Sequence, residues 1–159
     1  FIIVTTIFCI IEDDPLVVKD ITNDAIVIST TGEFEFDRYV KTTQYLEVHV
    51  EPRINDLITG TNFVLEGKTY TGVEQEGVVT YRTVLPLAFL PGIYKYVPTA
   101  TYKINFIKTI TKKLPSVYVV IVSKKNQHLV DEIISFTKTD VHKIEELKVL
   151  IKQLRKQNE

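Results

Sequence analysis

Between Asn62 and Phe106, apolar and polar residues alternate, and glycine or proline interrupts the pattern every few residues. The segments are Asn62-Phe-Val-Leu-Glu-Gly-Lys-Thr-Tyr-Thr-Gly72, Val78-Val-Thr-Tyr-Arg-Thr-Val-Leu85 and Tyr102-Lys-Ile-Asn-Phe106. A period of two puts successive side chains on opposite faces of a strand, so this pattern predicts antiparallel strands with one buried and one wet face. Such a sheet has to cover its apolar face, and the flanking segments are read by how they do so.

Upstream, residues 25–28 form a short β-forming run. In Glu33-Phe-Glu-Phe-Asp-Arg-Tyr-Val40, the residues Phe34, Phe36 and Val40 share one side with Arg38 as the polar exception. Tyr45-Leu-Glu-Val-His-Val-Glu51 repeats the alternation, with Leu46, Val48 and Val50 inward and Glu47, His49 and Glu51 outward. Pro52 is expected to close that strand, with residues 54–58 a connection. Glu66-Gly67-Lys68 reads as a tight hairpin and Gln75-Glu76-Gly77 as a second turn. Leu85-Pro-Leu-Ala-Phe-Leu-Pro-Gly92 holds two prolines, which argues against a central strand and for an apolar crossover between two sheets. Residues 93–97 then resume a strand.

The opening run of residues 1–11 is Ile, Val, Thr and Phe apart from Cys9, which is β-forming chemistry. It is too short to cross a bilayer as a helix, and it lacks the basic start and cleavage site of a signal peptide. It is expected to be a strand, buried or exchanged between subunits. A start at Phe1 rather than methionine is expected of a processed or truncated chain. The lone cysteine excludes a disulfide within one chain and reads as a small core residue. The absence of methionine is a thermophile habit. Glu12-Asp13-Asp14-Pro15 reads as a solvated turn, since the alternating ligands and glycine of a calcium loop are missing.

From Thr111-Lys-Lys-Leu-Pro115 onward the character changes. Val117-Tyr-Val-Val-Ile-Val122 is a continuous apolar run, as expected of a strand buried on both faces. Asn126 is expected to cap a helix over residues 126–138 carrying Leu129, Val130, Ile133, Ile134 and Thr137 on one face. Thr139-Asp140 either caps a second helix or bends the first. Beyond it, Ile144, Leu147, Ile151 and Leu154 follow three-four-three spacing, a two-heptad seam suited either to a coiled coil or to the chain's own sheet.

Charge is lopsided although the net is only −1: residues 1–100 carry 7 Lys/Arg against 14 Asp/Glu, and residues 101–159 carry 12 against 6. An acidic body with a basic tail can attract its own copies or an anionic partner. The basic residues of the tail are interspersed with Glu145 and Glu146, so nucleic acid is not expected as the primary partner. Of the metal-ligating constellations, Glu47/His49/Glu51 is the best, but zinc needs a fuller tetrahedral set and a solvated face is favoured. His128 with Asp131 and Glu132, and His142 with Glu145 and Glu146, read as exposed helix faces with local charge pairs. No phosphate loop or nucleophile elbow is present. The eight tyrosines read as core and sheet-surface residues. No catalytic residue, cofactor or metal is assigned.

The expectation is a mainly β chain: an antiparallel sandwich, immunoglobulin-like or jelly-roll-like, over residues 1–123, with a helical segment over 124–159. The expected function is structural and non-enzymatic, a self-associating subunit of a surface, filamentous or virion assembly located outside the cell or in a virion. Its assembly interface would use Phe1, Ile3, Ile7 and Ile11 with Ile144, Leu147, Ile151 and Leu154. The alternative is a module that docks a protein or glycan through its sheet face. A third is a small enzyme or metal-binding protein using strand carboxylates. No transmembrane segment is expected.

Overall fold

The computed structural model describes residues 14–20, 26–72, 75–85, 91–136 and 139–157. Strands β1 (Leu16–Asp20), β3 (Glu33–Thr42) and β7 (Gln75–Val84) form one sheet in the order β1-β3-β7. The other sheet is β2 (Ile26–Ser29), β10 (Val117–Ile121), β8 (Gly92–Lys103), β4 (Leu46–Asp56) and β5 (Asn62–Val64), in that order. Strand β6 (Lys68–Gly72) adds to β4, and β9 (Thr109–Lys113) adds to β8. Every pairing is antiparallel except the parallel β2–β10 pair at one edge. The chain is therefore a β-sandwich with a C-terminal helical segment: a three-residue 3-10 turn at Lys124–Asn126, then α1 (Gln127–Phe136) and α2 (Asp140–Gln157).

The alternation read from the sequence sorts the side chains as expected. Phe34, Ile54, Tyr94, Tyr96, Val117, Val119 and Ile121 fill one end of the interior between the sheets. Leu16, Val40, Leu46, Val48, Ala100 and Tyr102 fill the other. Arg38 also points inward, its guanidinium 4.8 Å from the centre of the Phe36 ring and its Nη1 donating to the Asp37 carbonyl at 2.9 Å. Tyr94, Tyr96 and Tyr102 are core residues, and Phe34 meets Tyr96 edge-on at 5.5 Å.

Strand β10 is buried on both faces. Its Val117, Val119 and Ile121 face the sandwich interior, while Val120 joins a second core with Val122, Ile93 and the helices. Val130 of α1 and Ile144, Leu147, Ile151 and Leu154 of α2 complete that core. The heptad seam is thus filled by the chain's own sheet and turns no free apolar stripe outward. Residues 1–11, with Phe1, Ile3, Ile7 and Ile11, lie outside the described residues, as does the crossover at 86–90. Thr139 separates the two helices: its carbonyl accepts the Lys143 amide at 3.0 Å and its hydroxyl the His142 amide at 3.3 Å. Arg155, in the last turn of α2, anchors the helix end. Its Nε donates to the Pro91 carbonyl at 2.7 Å and its Nη2 to the Asp56 carboxylate at 3.2 Å.

Pro52 does not close β4, which runs through it to Asp56. Likewise β8 runs through Pro98, directly opposite Pro52. Proline is excluded from central strands because it cannot donate, so the direction of the missing N–H decides. In an antiparallel strand a residue's N–H and C=O point the same way. The Pro52 carbonyl accepts from Leu65 N at 2.9 Å, in the gap where β5 gives way to β6. The Pro98 carbonyl accepts from Leu114 N at 2.9 Å, where β9 gives way to β10. Each proline sits where the next strand is interrupted, and no ladder bond is lost.

The same register overturns two turn assignments and shortens one strand. β5 and β6 are both antiparallel to β4, so Glu66-Gly67 is an interruption within one edge rather than a hairpin. A Cβ on Gly67 would come within 2.9 Å of the exposed His49 ring, so a larger residue there would displace that ring. The reversal lies instead after Asp56, whose Oδ1 accepts from Ile58 N at 2.9 Å, with Gly60 at φ +76°. Gln75 to Gly77 are strand residues of β7, paired with β3. The strand expected over residues 102–106 ends at Lys103, because Asn105 Oδ1 accepts the Ile107 and Lys108 amides, both at 2.8 Å, and reverses the chain into β9.

Because Leu147 is fully buried against the chain's own sheet, Leu147→Ala is expected to cost about 2–5 kcal/mol in urea unfolding. The wild-type Tm should not change with protein concentration, which differential scanning calorimetry over a hundredfold range would check.

Candidate functional site

The helices cover only part of the large sheet's outer face. They lie over outward residues of β2 and β10 and over Ile93 at the start of β8. The remaining outer surface belongs to β4, β5, β6, β9 and the rest of β8. Its outward positions alternate with core residues along each strand, which places Arg53 and Asn55 of β4, Lys95, Val97 and Thr99 of β8, and Thr111 and Lys113 of β9 side by side. The register fixes the rows: Arg53 lies opposite Val97, Asn55 opposite Lys95, and Thr99 opposite Lys113.

These residues, with Asn62 of β5, line a groove of about 570 Å³. A second depression of about 550 Å³ continues past Lys95, Val97 and Lys113 to Leu114, Pro115 and Ser116, making one trough across the sheet. Four cations reach it: Arg53, Lys95, Lys112 and Lys113. Arg53 is paired with Glu51 at 3.3 Å. Lys112 is paired with Asp14 at 2.7 Å and also donates to the Leu16 carbonyl at 2.6 Å. Lys95 Nζ lies 5.8 Å from the Tyr118 ring centre. Neither Lys95 nor Lys113 has a carboxylate partner among the described residues, and the Asn55 Oδ1 is buried there without a hydrogen-bond partner among them.

Asp14 is more than a solvated turn residue. It accepts hydrogen bonds from Lys112, from the Tyr102 hydroxyl and from Leu16 N at 3.0 Å, tying the start of β1 to β8 and β9. Partial burial raises its pKa, but these hydrogen bonds and the charge of Lys112 outweigh that and hold it below the ordinary 3.8. The Tyr102 hydroxyl is pushed far above 10.0, first by burial and then by its bond to the Asp14 carboxylate.

Glu47, His49 and Glu51 do share the outer face of β4. There His49 Nδ1 lies 3.2 Å from the Thr69 hydroxyl and Glu51 accepts from Arg53. No cluster of three or more metal-ligating side chains forms among the described residues. His128 and His142 stand on different helices, and Glu145 pairs with Lys148 at 3.3 Å. No helix among the described residues is long and apolar enough to cross a membrane. The trough residues went unnoticed in the sequence because they are scattered over sixty positions. The one local signal was the Lys112-Lys113 pair, and only the register brings Arg53 and Lys95 to it.

No protein-family model matches the sequence, and no curated protein is similar to it. Solved structures resemble the chain at low identity. A PapD-like domain of human CEP192 is 11% identical, with 71% of this chain and 91% of that one covered and a TM-score of 0.43. The Pseudomonas fluorescens alkylpurine DNA glycosylase AlkC is 10% identical at a TM-score of 0.42, over 69% of this chain. The periplasmic chaperone SfaE is 11% identical at a TM-score of 0.32, over 69% of this chain. The chain spans about a third of the length of the glycosylase (31%) and 58% of the chaperone.

The Asp14–Tyr102–Lys112 cluster sets a pH window. A carboxyl with a lowered folded pKa contributes stability above its unfolded value, near pH ~4, and loses it as pH falls further. A tyrosine with a raised folded pKa contributes below about pH 10 and loses it as pH rises. In urea unfolding, the wild-type advantage over Asp14→Ala should therefore be flat between about pH 5 and 9 and shrink on both sides.

Proposed function

We propose that this chain is a non-enzymatic docking module that holds a partner protein on the uncovered half of its large sheet. The observation that carries this reading is the trough itself: a concave surface on paired strands, with two lysines lacking carboxylate partners among the described residues. Among the described residues the trough has no aromatic ring free for sugar stacking, since Tyr118 lies beneath Lys95, and this favours a protein over a glycan. The test is a photo-cross-linking residue at Thr111, with Thr80 on the opposite sheet as control, introduced in the source cell. A protein adduct from the Thr111 position that Lys95→Glu with Lys113→Glu abolishes supports the reading. Equal adducts from both positions, or none, would overturn it.

A second reading, a subunit of an extracellular surface, filamentous or virion assembly, is supported by β7. This ten-residue strand ends the three-stranded sheet among the described residues, with Val78 and Val84 exposed. Long apolar edges are templates for pairing with another chain. On that reading, light scattering should show mass rising with concentration, and Val78→Lys should suppress the rise.

A further inference from the structure

Resting on the docking reading, we infer that the trough takes an extended acidic segment of a partner protein, laid over the sheet face rather than added to an edge. Length comes first. The trough crosses β5, β4, β8 and β9. Lys95 and Thr99 are four residues apart on β8 and Lys113 pairs with Thr99 one strand over, so the backbone positions of the two lysines are about 14 Å apart, which an extended chain at about 3.3 Å per residue covers with roughly four residues.

Charge comes second. Arg53 and Lys112 are neutralised by Glu51 and Asp14, so the cations left to recognise a ligand are Lys95 and Lys113. They flank Val97 and Thr99 on the outer face. A segment with carboxylates four residues apart and an apolar residue midway puts all three side chains on one face, the acids toward the lysines and the apolar residue over Val97. Its backbone N–H groups would supply donors to the amide of Asn55, whose Oδ1 lacks a partner among the described residues.

Two other anionic ligands fit less well. Nucleic acid is held by many phosphate contacts, and two cations without a carboxylate partner among the described residues offer few. Sulfated glycan meets the same shortage of cations and brings no apolar side chain to lie over Val97.

The experiment uses the full chain and a fluorescein-labelled ten-residue peptide in which glutamate and valine alternate at the odd positions and threonine fills the even ones. Controls are the same peptide with glutamine for glutamate, a single-stranded oligonucleotide and heparin. Anisotropy titrations at low and high salt should show saturable binding of the acidic peptide and at least tenfold weaker binding at high salt. Lys95→Glu with Lys113→Glu should weaken binding at least tenfold, whereas Lys41→Glu, on the other sheet, should leave it unchanged. Should the double reversal fail to fold by circular dichroism, Lys95→Gln with Lys113→Gln replaces it, with the same expectation. Equal binding of the glutamine peptide, tighter binding of oligonucleotide or heparin, or unchanged affinity in the variant would overturn the inference. If the Thr111 cross-link is formed and is lost on charge reversal while the acidic peptide does not bind, the inference fails and the docking reading stands. If neither occurs, both fail.

Discussion

Two-sided burial of β10 is the contact on which the rest of the structure depends. Val119 and Val120 are adjacent in sequence, fully buried, and turned to opposite sides. One joins the core between the sheets and the other the core beneath the helices. A strand with a wet face needs one covering layer; this one needs two, and so draws the C-terminal helices onto the sheet. Each buried aliphatic side chain contributes about 1.5–3 kcal/mol relative to exposure, so the four seam residues of α2 make the helix integral to the fold. The ion pair between Arg155 and Asp56 then fixes where the helix ends, at a turn that Asp56 itself organises.

The proposed docking surface follows from that coverage. Among the described residues, helices that sit over β2, β10 and the start of β8 leave the other half of the sheet bare. That half has small and basic outward residues, Lys95, Thr99, Thr111 and Lys113, where the helix-covered half has Ile93 and Val120. The paired prolines keep it continuous. Pro52 and Pro98 face the interruptions of the neighbouring strands, so β4 and β8 pass through the middle of the sheet unbroken and carry the trough on their outer faces.

Much of the fold was legible in the sequence. Period-two alternation sorted β3 and β4 into inner and outer faces, including the inward Arg38. The unbroken apolar run at residues 117–122 announced a strand covered twice. The spacing of Ile144, Leu147, Ile151 and Leu154 marked a buried stripe without saying what buried it. Turn chemistry was the weak point. A glycine or proline marks a departure from regular backbone, but Gly67 serves a close approach of the His49 ring and Pro52 a gap in the next strand, and neither reverses the chain. The reversal at Asn105 depended on a side-chain oxygen accepting two amides, which composition does not signal. The trough was illegible for a related reason. Its residues come from four strands, and only the register between β4, β8 and β9 places them together.

If the helices and the sheet share one core, their amides must be released together. Hydrogen exchange read by mass spectrometry tests this directly. The account expects peptides covering β10 and the middle of α2 to exchange with the same free energy of opening and the same response to low urea. Exchange in α2 several orders of magnitude faster than in β10 would contradict it, because the helix would then open from a sheet that stays folded without it.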